Sequence, residues 1–194
     1  MPRGHAAPRL ETARLLLQAS TPAMAPEVLD FQARNQDHFA PWDPPMPAGY
    51  LSLDAQRERL RRSAHEFRSG NGYRYWLRLR DDPAGVVGTM NFSSVARGPF
   101  QSAMLGYQID RALEGHGLMH EALQAGIAEM FSARVHLHRV QAAHLPENTR
   151  SAAVLARLGF ERIGVSRWYL FIDGAWRDHV LNALVNPSFV DAPV

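Results

Sequence analysis

Tyr107-Gln108-Ile109-Asp110-Arg111-Ala112-Leu113-Glu114-Gly115-His116-Gly117-Leu118-Met119-His120-Glu121 carries the chain from a strand into a helix through two closely spaced glycines. Apolar positions alternate along Ser102 to Asp110; from Gly117 they recur at helical spacing, with Leu123, Ile127, Met130 and Phe131 on one face. Gly115 and Gly117 allow a tight turn off the strand end, so several N–H groups and the positive end of the helix converge on one point. Such a point suits a pyrophosphate. No lysine or magnesium-ligand set accompanies it, so phosphates bound there are held as part of a carrier and are not transferred. Taken alone, the same Gly-x-Gly is also an ordinary strand-to-helix turn, and the neighbouring elements must decide.

Outward from this turn the pattern is mixed α+β. Towards the N-terminus, Arg14 to Gln18 reads as a short strand, and Ser20-Thr21 before Pro22 as the cap of a helix running to about Asn35. Pro41-Trp42-Asp43-Pro44-Pro45 forms a loop, and Leu53 to about Ser69 a helix ended by Gly70-Asn71-Gly72. Tyr73 to Arg80 and Gly85 to Ser94 alternate as a hairpin joined through Asp81 to Gly85, and Arg97-Gly98-Pro99 turns into Ser102. Towards the C-terminus come a strand at Arg139 to Leu145, a helix at Asn148 to Leu158 closed by Gly159, and a hairpin about Asp173-Gly174. At 194 residues this is expected to be one domain, with loose ends over roughly the first 9 residues and Pro187 to Val194.

Missing residues exclude much chemistry. There is no cysteine and no lysine, and all 21 basic residues are arginine. Thiolate nucleophiles, disulfides and iron–sulfur clusters are excluded, and so are Schiff bases and phosphate loops of the Gly-Lys kind. No metal site is expected: His116 and His120 lie four apart, and His136 and His138 two apart, but no carboxylate completes a zinc set. Met1 to Arg9 lacks the apolar run of a secretory signal and nothing approaches a membrane helix, so a cytoplasmic protein is expected. The net charge of +2 permits association with nucleic acid or a ribosome but argues for it only weakly.

A second segment lies some thirty residues downstream: Asn148-Thr149-Arg150-Ser151-Ala152-Ala153-Val154-Leu155-Ala156-Arg157-Leu158-Gly159-Phe160. Strand, glycine turn, helix, strand, then Asn-x-x-Ser and Leu-Gly-Phe in this order resemble the GNAT acetyltransferases. Seven segments are similar to the ribosomal-protein-alanine N-acetyltransferase (RimJ-like) branch: His38-Phe39-Ala40-Pro41-Trp42, Asn91-Phe92-Ser93, Arg97-Gly98, Leu105-Gly106-Tyr107, Gly117-Leu118-Met119, Leu155 to Phe160, and Asp173-Gly174-Ala175-Trp176-Arg177-Asp178-His179. The resemblance covers roughly Leu10 to Pro187.

It implies a mixed, mostly antiparallel twisted sheet of about six or seven strands flanked by helices, with a splayed central strand pair. Tyr107, Gln108 and Ile109 would part from Arg139 to Leu145 and pair with the pantetheine arm of acetyl-CoA, the cosubstrate. The family's pyrophosphate motif falls on Glu114, Gly115, His116, Gly117, Leu118 and Met119. Glu114 fills a slot usually held by arginine or glutamine, and Met119 one usually held by a small residue; Arg111 or Arg157 would offset the glutamate's charge. Asn148 would contact the cosubstrate and Ser151 would lie near its sulfur.

The implied reaction is direct attack of an amine on the thioester in a ternary complex, with a backbone N–H near Gln108 polarising the carbonyl. The implied acceptor is the N-terminal α-amine of a ribosomal protein. Tyr107, Ser151 and Tyr169 are candidates to protonate or hydrogen-bond the thiolate. Related enzymes carry a glutamate where this chain has Ile163, which leaves Glu161 as the nearest candidate base. Trp42, Asn91, Phe92, Tyr169 and Trp176 are candidates for the acceptor groove. A small-molecule or antibiotic amine acetyltransferase and a non-catalytic CoA-binding regulator or ribosome-assembly protein stay open as alternatives, as do a monomer and a homodimer.

Overall fold

A computed structural model describes residues 8–190 of the chain. The elements run β1 (Arg9–Glu11), β2 (Leu15–Ala19), a 3-10 turn at Pro22–Met24, α1 (Ala25–Arg34), α2 (Gln36–Phe39), α3 (Leu53–Ser69), β3 (Tyr73–Leu79), β4 (Gly88–Ala96) and β5 (Ser102–Ile109). A second 3-10 turn at Arg111–Leu113 follows, then α4 (Leu118–Phe131), β6 (Arg139–His144), α5 (Thr149–Arg157), β7 (Glu161–Ile172) and β8 (Ala175–Val185). Eight strands form one sheet in the order β1-β2-β3-β4-β5-β6-β8-β7, one more than expected. The addition is β1, three residues long and paired with Leu16–Gln18, too short to show an alternating pattern.

Local chemistry explains most boundaries. The Ser52 hydroxyl accepts the Ala55 N–H at 3.3 Å to cap α3, and Gly70 ends it at φ +74°, a backbone region that glycine enters without strain. The expected cap at Ser20-Thr21 forms differently. Thr21 makes no side-chain cap bond, whereas buried Ser20 donates to Ser63 and accepts from the Trp76 indole, both at 3.0 Å. The helix expected to reach Asn35 breaks there into α1 and α2, because the Asn35 side chain turns to bond the Phe31 carbonyl and Asp110.

The strand alternation sends Tyr75, Leu77, Met90 and Phe92 to one face, where they pack with Leu118, Ala122, Leu123, Ile127 and Met130 of α4. Gly126 permits the close approach: a Cβ there would lie 2.5 Å from the Met90 sulfur. Trp76 points to the opposite face, against Val28, Phe31, Phe39 and Leu60 of the helices that precede β3. Each such buried side chain contributes about 1.5–3 kcal/mol. At the described start of the tail, Phe189 lies against the rings of His136 and His138, with centroids 4.7 and 5.1 Å away. The expected loose segments at residues 1–7 and 191–194 lie outside the described residues.

All neighbouring strands are antiparallel except β5 and β6, which are joined through α4 as a parallel pair. Their pairing runs from Ser102↔Arg139 to Leu105↔Ala142 and stops. Beyond it, β5 stays on β4 through Ile109 while β6 stays on β8 through His144, so the sheet forks at Gly106.

Candidate functional site

A cleft of about 630 Å³ occupies the fork. Tyr107, Gln108 and Ile109 form one wall; Asn148, Ser151 and Arg157 stand opposite. Its end is the turn into α4, with Glu114, Gly115, Gly117, Leu118 and Met119. Gly115 and Gly117 have φ of +80° and +75°, and a Cβ at either would meet nothing closer than Arg14 Nη2 at 3.7 Å, so backbone conformation and not crowding requires glycine. Gly117 is also the N-cap of α4 and brings no capping side chain, which leaves first-turn N–H groups free for a ligand. His116 is outside the cleft; its carbonyl accepts a bond from Arg14 Nη1 at 2.9 Å.

The Glu114 charge is managed by residues not expected to do so. Its carboxylate pairs with Arg150 and, at 3.1 Å, with His38 Nε2. Arg111 is exposed and its backbone N–H bonds Asn35, so it plays no part in this pairing. Arg157 lines the cleft without reaching Glu114. Asn148 caps α5 by accepting the Ser151 N–H at 3.0 Å. This fixes the Ser151 hydroxyl 2.6 Å from the Tyr107 hydroxyl. Burial pushes the Tyr107 phenol up to about 12 against the opposing bond from Ser151, so it stays protonated at neutral pH.

Asp43 completes the cleft, a residue to which the sequence reading gave only a place in a loop. Its carboxylate accepts from the Gln108 carboxamide, whose oxygen in turn accepts from Gln32 at 3.3 Å. Burial, partly offset by the Gln108 bond and by His38, raises the Asp43 pKa to about 6. His38 and Phe39 also border the cleft. His38, Phe39 and Trp42 lie in a segment carrying the family resemblance, but nothing local marked Asp43 as desolvated.

The five expected acceptor-groove residues separate. Trp42 lines the cleft, and Asn91 lines a second cavity under α3. Phe92 is fully buried: it alternates with Asn91 and therefore faces α4 in the core, not a groove. Tyr169 is half-buried with its ring 5.4 Å from that of His179. Trp176, 61% exposed, packs on Phe171 beside the turn joining β7 and β8, away from both cavities. Glu161 opens β7 exposed and outside the cleft, and Ile163 is exposed too.

The profile of the acetyltransferase (GNAT) domain matches residues 14–161. The chain belongs to the GNAT acetyltransferase family. Within it, the chain is 38% identical over 181 residues to the [ribosomal protein uS5]-alanine N-acetyltransferase of Escherichia coli (strain K12), covering 93% of this chain and 92% of that one. A ribosomal-protein-S5-alanine acetyltransferase from Vibrio fischeri has the same fold with a TM-score of 0.90 at 29% identity, covering 95% of this chain and 100% of that chain. The structure of Mycobacterium smegmatis RimJ in complex with CoA-disulfide is similar at a TM-score of 0.83 and 30% identity, over 92% of this chain and 85% of that one. The GNAT match spans β2 to the start of β7 and so takes in the fork, the glycine turn and Asp43.

Proposed function

We propose that the chain transfers the acetyl group of acetyl-CoA to the α-amine of a ribosomal protein that begins with alanine. The observation that carries the reading is the fork at Gly106, with an unpaired strand edge on one side and the free amides of the Gly115–Met119 turn at its end. An edge of peptide groups matches a pantetheine arm, and a helix N-terminus behind two glycines matches a pyrophosphate. Arg150 and Arg157 add positive charge on the α5 side. The named relatives support the acceptor class.

With no cysteine in the chain, the amine attacks the thioester directly. Asp43, ionised at neutral pH yet raised to about 6, takes the proton that the ammonium must lose. The amine nitrogen bonds the carbonyl carbon, Tyr107 with Ser151 supplies a proton to the sulfur as the C–S bond breaks, and the second proton that the nitrogen sheds on becoming an amide returns through solvent to the Tyr107–Ser151 pair. An α-ammonium, with a pKa of about 7.7–8.0, is easier for such a base to deprotonate than a lysine at about 10.4. The test is mass-spectrometric: the protein and acetyl-CoA are incubated with an alanine-starting peptide and with a panel of free amines. Acetylation of the peptide at its N-terminus is expected. Turnover confined to the free amines would remove the acceptor assignment and leave acetyl transfer standing.

A further inference from the structure

The second cavity, about 270 Å³, lies between α3 and strands β3 and β4, on the face of the sheet that carries Trp76. Arg59, Arg62 and Arg74 line it together with Asn91 and Ser93. The Arg59 guanidinium stacks on the Tyr50 ring at 4.4 Å and donates to Gln56 at 2.7 Å. The Arg74 guanidinium lies 5.7 Å from the Trp76 ring centroid and reaches a neutral partner, the Thr89 hydroxyl, at 3.5 Å.

Among the described residues, no carboxylate oxygen comes within 4.0 Å of any of these three arginines. Arg57 and Arg61 on α3 pair with Asp54 and Glu58, and Arg78, four residues along β3 from Arg74, pairs with Glu27. Glu66 lines the same cavity and acts on Arg74 only from beyond pairing distance. Burial, reinforced by repulsion from Arg59, pulls the Arg74 pKa down to about 10, and burial lowers that of Arg59 as well. Arg62 is exposed, but Arg59 and Arg74 are half-buried without a counter-ion, which is costly in a resting protein, and that cost is recovered when an anion arrives.

The register says which anion. Arg74 pairs with Asn91, and Asn91 with Gly106, the residue at which the sheet forks. Arg74 therefore lies two strand spacings, about 10 Å, from the fork. Gly106 is exposed, and a Cβ on it, pointing to the same face as Asn91 and Arg74, would meet nothing within 4 Å. Gly106 and Asn91 thus lie in register between the fork and the arginines, on one face of the sheet, with open space over Gly106. A peptide extended at about 3.3 Å per residue covers that distance in about three residues.

We infer that the Arg59–Arg74 pocket is an acceptor subsite that takes the carboxylate of an acidic side chain at the second, third or fourth position of the acceptor chain. The inference rests on the reading of the protein as an N-terminal acetyltransferase and adds a selectivity to it.

The experiment uses alanine-starting octapeptides with a single glutamate at position two, three or four, each with its glutamine counterpart. Two readouts are taken: kcat/KM with acetyl-CoA, and the Kd of each peptide for the CoA-loaded protein by calorimetry. At one of the three positions glutamate is preferred over glutamine by about 10- to 100-fold, chiefly through KM. In Arg74→Gln that ratio falls to about one, and in Arg74→Glu it reverses in favour of the glutamine peptide. The melting temperature of Arg74→Gln is expected to be no lower than the parent's, which separates lost recognition from lost folding. Should Arg74→Gln fail to fold, Arg59→Gln and Arg74→Lys carry the comparison, each with a reduced ratio. Equal kcat/KM for glutamate and glutamine peptides at all three positions would overturn the subsite and leave the acetyl-transfer reading intact. If no peptide is acetylated, calorimetry decides: tighter, Arg74-dependent binding of a glutamate peptide sustains the subsite while the transfer reading falls, and equal binding overturns the subsite too.

Discussion

Asp43 and Tyr107 border the same cleft, and burial raises the pKa of both with different results at neutral pH. Burial keeps the phenol protonated, able to donate a hydrogen bond, and makes the carboxylate, still ionised at pH 7, a better proton acceptor than an exposed aspartate; in the proposed reaction these are the states required. The Asp43 role carries a stability cost whose sign is fixed. Its folded value of about 6 lies above the about 3.9 of an unfolded chain, so folding favours the protonated form. The penalty is absent below about pH 4, grows as pH rises through the window between the two values, and is fully present at pH 7. Asp43→Asn removes it. The variant is expected to be more stable than the parent by up to about 2 kcal/mol at pH 7.5 and to converge with it at pH 4, as read by thermal melts across that range. The same substitution should abolish the acid limb near pH 6 in the kcat/KM profile and lower the plateau about 100-fold. Parallel melting curves at every pH would show that the carboxylate is already solvated.

At the scale of elements, the glycine turn is held from behind. Glu121, in the first turn of α4, accepts bonds from the Thr12 hydroxyl, from the Arg14 backbone N–H at 2.8 Å and from Arg14 Nε at 2.6 Å, while Arg14 Nη1 reaches the His116 carbonyl. These bonds hold the Glu121 pKa low against the effect of burial, so their contribution is complete above the unfolded carboxylate value and is lost as pH falls through the lower folded one. Glu121→Ala leaves three donors without their acceptor. It is expected to cost about 2 kcal/mol at pH 7, measured by urea unfolding, and to weaken CoA binding by calorimetry, although Glu121 borders neither cavity. This clamp spans 107 residues of sequence, and that is why no local pattern announced it. The elements themselves were legible wherever period and punctuation agree, as in α3 between Ser52 and Gly70 and in the turn at Gly115 and Gly117. The sequence reading places both Asn91 and Phe92 in the groove, although alternation sends neighbours to opposite faces; which of the two is buried depends on which side of β4 receives α4. Asp43 was hidden for a third reason: its chemistry comes from burial against Gln108, 65 residues away.

At the scale of the whole molecule, the fork divides the sheet into β1–β5 and β6–β8, which share only the four register pairs from Ser102↔Arg139 to Leu105↔Ala142. Above Leu105, the β5 peptide groups that point away from β4 have no strand to bond. A ligand seated there replaces the missing strand partner and joins the two halves, so its binding free energy is added to folding. At 100 times its Kd, CoA is expected to stabilise the protein by about 2.7 kcal/mol, a rise in melting temperature of about 5–10 °C for a chain of this size. The location of the gain is the sharper expectation. Hydrogen–deuterium exchange should slow at residues 106–109 and 114–119 on addition of CoA, while the ladder between β2 and β3, already paired on both edges by β1 and β4, should not change. Protection confined to 114–119, with 106–109 exchanging as before, would mean that the arm beyond the pyrophosphate leaves the fork, and the Tyr107–Ser151 pair would then have no sulfur to serve.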